Sequence, residues 1–156
     1  EIFVDILVIA INFIIRAIAG TFIINVSISP WLVLCTFFLS LFLSVGKRKS
    51  DTVLMKEDEG KHKKVLKFYT DDITSNLMII TTTALVISYS LYSFLSNKHA
   101  LLFTLPFALY TIFRYLHLIY SGSSIARHPE LVLKDKRIVI GILLWIISVF
   151  IIMYGF

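Results

Sequence analysis

EIFVDILVIAINFIIRAIAGTFII, residues 1–24, is apolar enough to lie in a bilayer, yet it carries Asp5, Asn12 and Arg16. At about 100° per residue, steps of seven and eleven residues return a helix to within about 20° of its starting face. Asp5, Asn12 and Arg16 therefore share one stripe of one helix, with Ile9 between them. A charge at mid-membrane costs on the order of 3 kcal/mol even on a lenient insertion scale, so such residues face a bundle interior or a wet cavity. The stripe predicts either a polar site inside a membrane or charges buried against partners on other helices.

The remainder of the chain has the same character. Of 156 residues, 58% are hydrophobic and 16% charged, and the mean hydropathy is +0.87. Soluble domains sit nearer half apolar and a quarter charged. The apolar residues also come in long blocks, which identifies an integral membrane protein of the all-α class. A net charge of +5 would suggest nucleic acid in a soluble protein. Here the basic residues lie mostly between apolar blocks, where membrane topology accounts for them and no nucleic-acid partner is implied. Cys35 stands alone in an apolar run, which leaves no disulfide framework and no thiol metal site. The chain starts with Glu rather than Met, and its first block is too long and too acidic at its start for a signal peptide. A fragment or a processed chain is the expectation.

Spans of about 20 apolar residues are predicted at 2–25, 30–45, 72–95, 101–120 and 138–156. Ser29-Pro30 marks the start of the second, with serine as cap and proline where no donor is lost. Gly46 and the basic run after it are expected to end that span. Asp71 and Asp72 open the third, and Pro106 is expected to bend the fourth near its start. The loop 46–71 carries eight Lys/Arg and the loop 121–137 carries four, whereas the other two links carry almost none. By the positive-inside rule both basic loops face the cytoplasm, and their alternation is consistent with five spans. The first basic loop is expected to be partly helical and broken near Gly60, and residues 126–137 to form a short interfacial helix.

Three polar clusters then compete with plain readings. GKRKSD at 46–51 joins a helix end to a basic cluster with one acid, Asp51. It serves either as a topology anchor on lipid headgroups or as a phosphate contact. It lacks the glycine and the Ser/Thr of a Walker A loop, so any phosphate would be held by side chains, with Arg48 as a fork and Lys47 as a point charge. Tyr110, Arg114 and His117 share a face of the fourth span. Arg114 either snorkels to the nearby interface or contacts an anion in a cavity. Acids and bases thus gather near one membrane face, a pattern that suits a Mg²⁺-bridged substrate bearing phosphates.

IIRAIAG at 14–20, SPWLVLCTFFLSLFLSVGKRKSD at 29–51, LPFALYTIFRYLHLIY at 105–120 and HPELVLKDKR at 128–137 resemble, in that order, the second half of the phosphoribosyltransferase branch of the UbiA prenyltransferase superfamily. The resemblance covers nearly the whole chain. It implies the last five spans of a nine-helix bundle around a central cavity, lying in the plasma (inner) membrane with the active site facing the cytoplasm. The superfamily's first aspartate-rich motif belongs to an N-terminal half that this chain does not contain, so the piece alone is expected to be inactive. The implied reaction moves a 5-phosphoribosyl group from phosphoribosyl diphosphate to a polyprenyl phosphate and releases diphosphate, with Mg²⁺ as cofactor. Lys47, Arg48, Arg114 and Arg16 are the implied phosphate and substrate contacts, and Asp5 and Asp51 the implied metal ligands; no residue is singled out as catalytic. The superfamily's second acidic motif would fall at the GKRKSD loop, but its repeated aspartates are not there, and Asn12 stands where a small residue is expected. Two other readings remain open. One is an aromatic prenyltransferase of the same superfamily acting on a 4-hydroxybenzoate-type acceptor. The other is a non-catalytic lipid-binding or transport protein, although no paired Gly/Pro-broken helices suggest inverted repeats.

Overall fold

A computed structural model describes residues 3–23, 29–55 and 70–155. In chain order they form α1 (Val4–Ile23), α2 (Pro30–Met55), α3 (Asp71–Leu95), a 3₁₀ segment (His99–Thr104), α4 (Leu105–Tyr120), α5 (Ser124–Arg127), a second 3₁₀ segment (Pro129–Lys134) and α6 (Lys136–Tyr154). Five helices are long and apolar enough to cross a membrane, with the first 3₁₀ segment and α4 counted as one. The chain is a multi-pass, all-helical membrane protein with no strand among the described residues.

Local chemistry explains most element ends. Pro30 is the first residue of α2, as its ring permits, and the carbonyl of Ser29 accepts from the N–H groups of Leu32 and Val33. Thr70 caps α3 by accepting from the Ile73 N–H, and Asp71 and Asp72 lie in the first turn, where the helix dipole favours acids. Thr81 donates back to the carbonyl of Leu77, which is how a threonine is tolerated in lipid. Asp135 caps α6 by accepting from the N–H groups of Arg137 and Ile138.

Expectations about the second span and about residues 126–137 are corrected. The second span does not stop at residue 45, because α2 continues without a break to Met55. GKRKSD is therefore helix rather than loop. Gly46 does not terminate the helix; its missing side chain lets α4 approach, since a Cβ there would lie 2.8 Å from Ile119 Cδ1. The basic residues that follow sit toward the helix C-terminus, where the dipole favours cations. Pro106 lies in the first turn of α4, where no backbone donor is lost, directly after the 3₁₀ segment that opens the fourth span. Residues 126–137 are not one interfacial helix. Pro129 disfavours helical backbone at the residue before it, His128 is accordingly extended (φ −121°, ψ 88°), and two short turns result. The proposed break near Gly60 lies outside the described residues.

α2 is the hub. Its Phe42 and Val45 pack in one core with Ile6 of α1, Met78 of α3, Tyr115 and Ile119 of α4 and Ile138 of α6. The polar stripe of α1 is turned away from this core. Ile6 and Ala10 are buried, whereas Asn12 and Arg16 lie on the open surface and only Asp5 is half-buried.

Lipid is as apolar as leucine, so close packing of small residues contributes much of the attraction between membrane helices. A Cβ on Gly141 of α6 would lie 2.7 Å from Thr111 Oγ1 on α4, and that hydroxyl is fixed by donating to the Phe107 carbonyl. At Gly46 the obstacle is the end of a flexible isoleucine. Gly141→Leu should therefore destabilise the bundle by about 1–3 kcal/mol through overpacking, and Gly46→Ala should cost less. Thermal melting in detergent, read by the fraction retaining its native elution volume, checks this; equal losses would contradict it.

Candidate functional site

In an antiparallel arrangement of spans, the start of α1, the end of α2, the start of α3, the end of α4 and the start of α6 meet at one end of the bundle. Among the described residues, three ion pairs join helices there. Arg48 of α2 donates to Asp5 of α1 at 2.5 Å, both side chains being about a third exposed or less. Lys49 of α2, only 2% exposed, donates to the Asp71 carboxylate of α3 at 2.5 Å and to Ser75 Oγ at 2.7 Å. Its ammonium also lies 5.2 Å from the centre of the Tyr120 ring on α4, a cation–π distance. Arg114 of α4 donates to Asp135 at 2.8 Å.

The predicted site residues fare unequally. Asp5 and Arg48 are brought together, but as partners of each other. Arg114 does not snorkel freely to the interface; it latches α4 to the capped start of α6. Asp51 is buried at 8% exposure. Lys47 is exposed at the same end and Arg16 is exposed on α1. Among the described residues no three His, Cys, Asp or Glu side chains converge as metal ligands. Asp5 already shares its Oδ2 with the Arg48 guanidinium, which offsets the charge a cation would need there. The described residues therefore do not by themselves fit a Mg²⁺ ion.

A cavity of about 710 Å³ between α2, α3, α4 and α6 reaches from this charged end, at Tyr115, Val132, Leu133 and Ile138, to the opposite end, at Leu32, Tyr92, Leu101 and Met153. Its wall is mostly apolar and includes Leu39, Phe42, Leu85, Leu109, Ile112 and Ile142. None of Asp5, Arg16, Lys47, Arg48, Asp51 or Arg114 lines it. The volume falls in the range of sites that hold a drug-sized apolar group. Tyr89 and Trp145 stand on its wall, and their polar atoms are tied into a directed chain. Trp145 Nε1 donates to Tyr89 Oη at 2.8 Å. Tyr89 Oη lies 2.5 Å from Thr104 Oγ1, whose own proton goes to the Leu101 carbonyl, so the tyrosine is the donor in that contact. The chain leaves Tyr89 and Trp145 presenting aromatic faces with their polar atoms satisfied, whereas the buried Tyr115 hydroxyl on the same wall has no hydrogen-bond partner among the described residues.

Nothing in the sequence marks Lys49, Asp71, Asp135, Tyr89 or Trp145 as a set. Lys49 is one of three consecutive basic residues, and only helical phase against α3 separates the buried one from its exposed neighbour Lys47.

Two stability predictions follow from the geometry. Removing Asp71 would leave a buried ammonium without its charge partner, a loss of about 3–5 kcal/mol, whereas Lys49→Met should be much milder. A urea titration comparing Asp71→Ala with Lys49→Met checks this ordering. The Arg114 guanidinium beside Asp135, assisted by the capping N–H groups, holds that carboxyl below its ordinary value of 3.8. A depressed carboxylate contributes stability that is complete above its unfolded pKa and is lost as pH falls through the folded one. The gap in stability between the wild type and Arg114→Gln should therefore be constant from pH 5 to 8 and close below pH 3.8. A gap that persists in acid would refute the pair's role.

No protein-family model matches the chain. Curated relatives do. A decaprenyl-phosphate phosphoribosyltransferase of Mycolicibacterium smegmatis is 33% identical over 91% of this chain and 48% of its own length. Proteins of the same name from Corynebacterium glutamicum and Mycobacterium tuberculosis are 28% and 30% identical, over 97% and 94% of this chain and 47% and 49% of theirs. Over nearly its whole length the chain is similar to proteins named decaprenyl-phosphate phosphoribosyltransferase, and it spans about half the length of the curated relatives it matches.

Proposed function

We propose that this chain forms part of a membrane phosphoribosyltransferase that moves 5-phosphoribosyl from phosphoribosyl diphosphate to a polyprenyl phosphate and releases diphosphate. The observation that carries the reading is the match to proteins of that name across 91–97% of the chain. The apolar cavity supports it, because a polyprenyl tail needs such a space and a soluble acceptor does not.

The chemistry makes modest demands on the protein. The nucleophile is a phosphate oxygen, already anionic, so no strong general base is required. Rate comes from holding the sugar carbon in line with that oxygen and from neutralising the departing diphosphate. In this chain the cavity would hold the tail near the basic end, and Lys47, exposed there, would meet the diphosphate. Arg48 and Arg114 would act mainly through their ion pairs, by fixing α1 on α2 and α6 on α4. The Mg²⁺ dependence stays within the proposal with ligands from outside the described residues. So does a plasma-membrane location with the basic end toward the cytoplasm.

The test reconstitutes the chain in liposomes, alone and together with the portion of the M. smegmatis relative that it does not match. Labelled phosphoribosyl diphosphate is supplied with polyprenyl phosphate, and in parallel a prenyl diphosphate with 4-hydroxybenzoate. Expected is lipid-linked label only in the first mixture, only with both parts present, and abolished by a chelator. Product in the second mixture would favour aromatic prenyl transfer, and none in either would favour a non-catalytic lipid-binding role. Lys47→Ala should raise the KM for phosphoribosyl diphosphate about tenfold; an unchanged saturation curve would reduce Lys47 to a topology anchor.

A further inference from the structure

The segment between α4 and α6 forms a lip on the apolar cavity. Val132 and Leu133, from the second 3₁₀ segment, both line the cavity, yet Leu133 is also 73% exposed. A residue that is both wall and outer surface marks an edge of the opening. Lys134, Lys136 and Arg137 follow within four residues, and all three are exposed. Residues 126–137 carry four Lys/Arg against two acids. One of those acids, Asp135, is turned inward, 8% exposed, and engaged by Arg114 and two backbone N–H groups. With Asp135 turned inward, Lys134, Lys136 and Arg137 give the last four residues of the lip an exposed cationic face. Asp135 also fixes the lip's position, because the same carboxylate caps α6 and is latched to α4.

An apolar cavity with a cationic rim complements one kind of molecule, an amphiphile with an apolar tail and an anionic head. The geometry points to Lys134, Lys136 and Arg137 as the site that holds the phosphate head of a single-chain isoprenoid lipid, whose tail passes Leu133 and Val132 into the cavity. This deepens the proposed function and rests on its reading of the cavity. It locates the lipid phosphate at the start of α6, not at Lys47, Arg48 or Arg114. The separation also makes physical sense. Arg48 and Arg114 already bond carboxylates across helices, and drawing either onto a ligand would strip a half-buried acid of its partner. The three lip cations carry no such structural burden in the contacts described.

The test uses the full chain in phosphatidylcholine nanodiscs with Trp31→Phe, so that Trp145 on the cavity wall is the only tryptophan and its fluorescence reads occupancy. The probes are a polyprenyl phosphate and the polyprenol of the same length. A cation near a membrane surface contributes a factor of about five, so Lys134→Gln, Lys136→Gln and Arg137→Gln together should weaken the phosphate lipid on the order of a hundredfold. Polyprenol affinity should be unchanged, which also shows that the variant is folded. The variant carrying Lys134→Arg and Lys136→Arg should bind both lipids as the wild type does. Undiminished binding of the phosphate lipid by the triple Gln variant would overturn the head site and leave the cavity reading standing. Equal weakening of both lipids would overturn it too, by showing that the cations only support the fold. Wild-type protein that binds neither lipid would defeat the cavity reading, and this site with it. Displacement by millimolar inorganic phosphate would reassign the cations to a soluble phosphate. Equal displacement by phosphatidylglycerol would reduce them to a general membrane anchor.

Discussion

A charge drawn out of water toward a bilayer must meet an opposite charge, and one end of this bundle is organised by that requirement. Asp5–Arg48 joins α1 to α2, Lys49–Asp71 joins α2 to α3, and Arg114–Asp135 joins α4 to α6. Each pair crosses between helices, so each sets the height of one span against another. Lipid supplies no hydrophobic force to do this. The steric counterpart is the pair of glycines, at 46 and 141, that let α4 come close to α2 and to α6. Charge sets the register and small residues set the distance.

This arrangement separates two kinds of chemistry in space. Beneath the charged end the wall of the cavity is apolar, and the polar atoms of Tyr89, Thr104 and Trp145 are spent on one another. A lipid tail entering there would meet mostly aromatic and aliphatic faces, with the Tyr115 hydroxyl, partnerless among the described residues, one of the lining groups. At the rim, the inward turn of Asp135 leaves lysine and arginine outside. Similarity to proteins named decaprenyl-phosphate phosphoribosyltransferase and the apolar lining of the cavity are independent observations, and the proposed lipid site rests on both.

The predicted phosphate residues show why sequence motifs and geometry diverge. Lys47, Arg48 and Lys49 are adjacent and chemically alike. On a helix they point in three directions about 100° apart. One is exposed, one pairs with α1 and one is buried against α3. Treating GKRKSD as a loop makes the three equivalent, whereas recognising it as helix assigns each a different neighbour. The α1 stripe diverges in the same way. Periodicity places Asp5, Asn12 and Arg16 on one face, but α2 packs against the face carrying Ile6 and Ala10.

Membrane class, helix number and family resemblance were legible in the chain itself, because a bilayer imposes a length and composition on every span and because GKR, PF…RY and PE…D stand in a specific order. The start of α2 at Ser29-Pro30 was legible too, since proline at a first helical position is a local signal, whereas the caps at Thr70 and Asp135 came only from the structure. What depended on contacts between distant residues was not legible. The continuation of α2 to Met55, the choice of Lys49 as the buried cation, the diversion of Arg48 and Arg114 into ion pairs, and the cationic lip beside Leu133 all follow from how helices pack. One-dimensional periodicity gives the faces of a helix but not which face its neighbour takes.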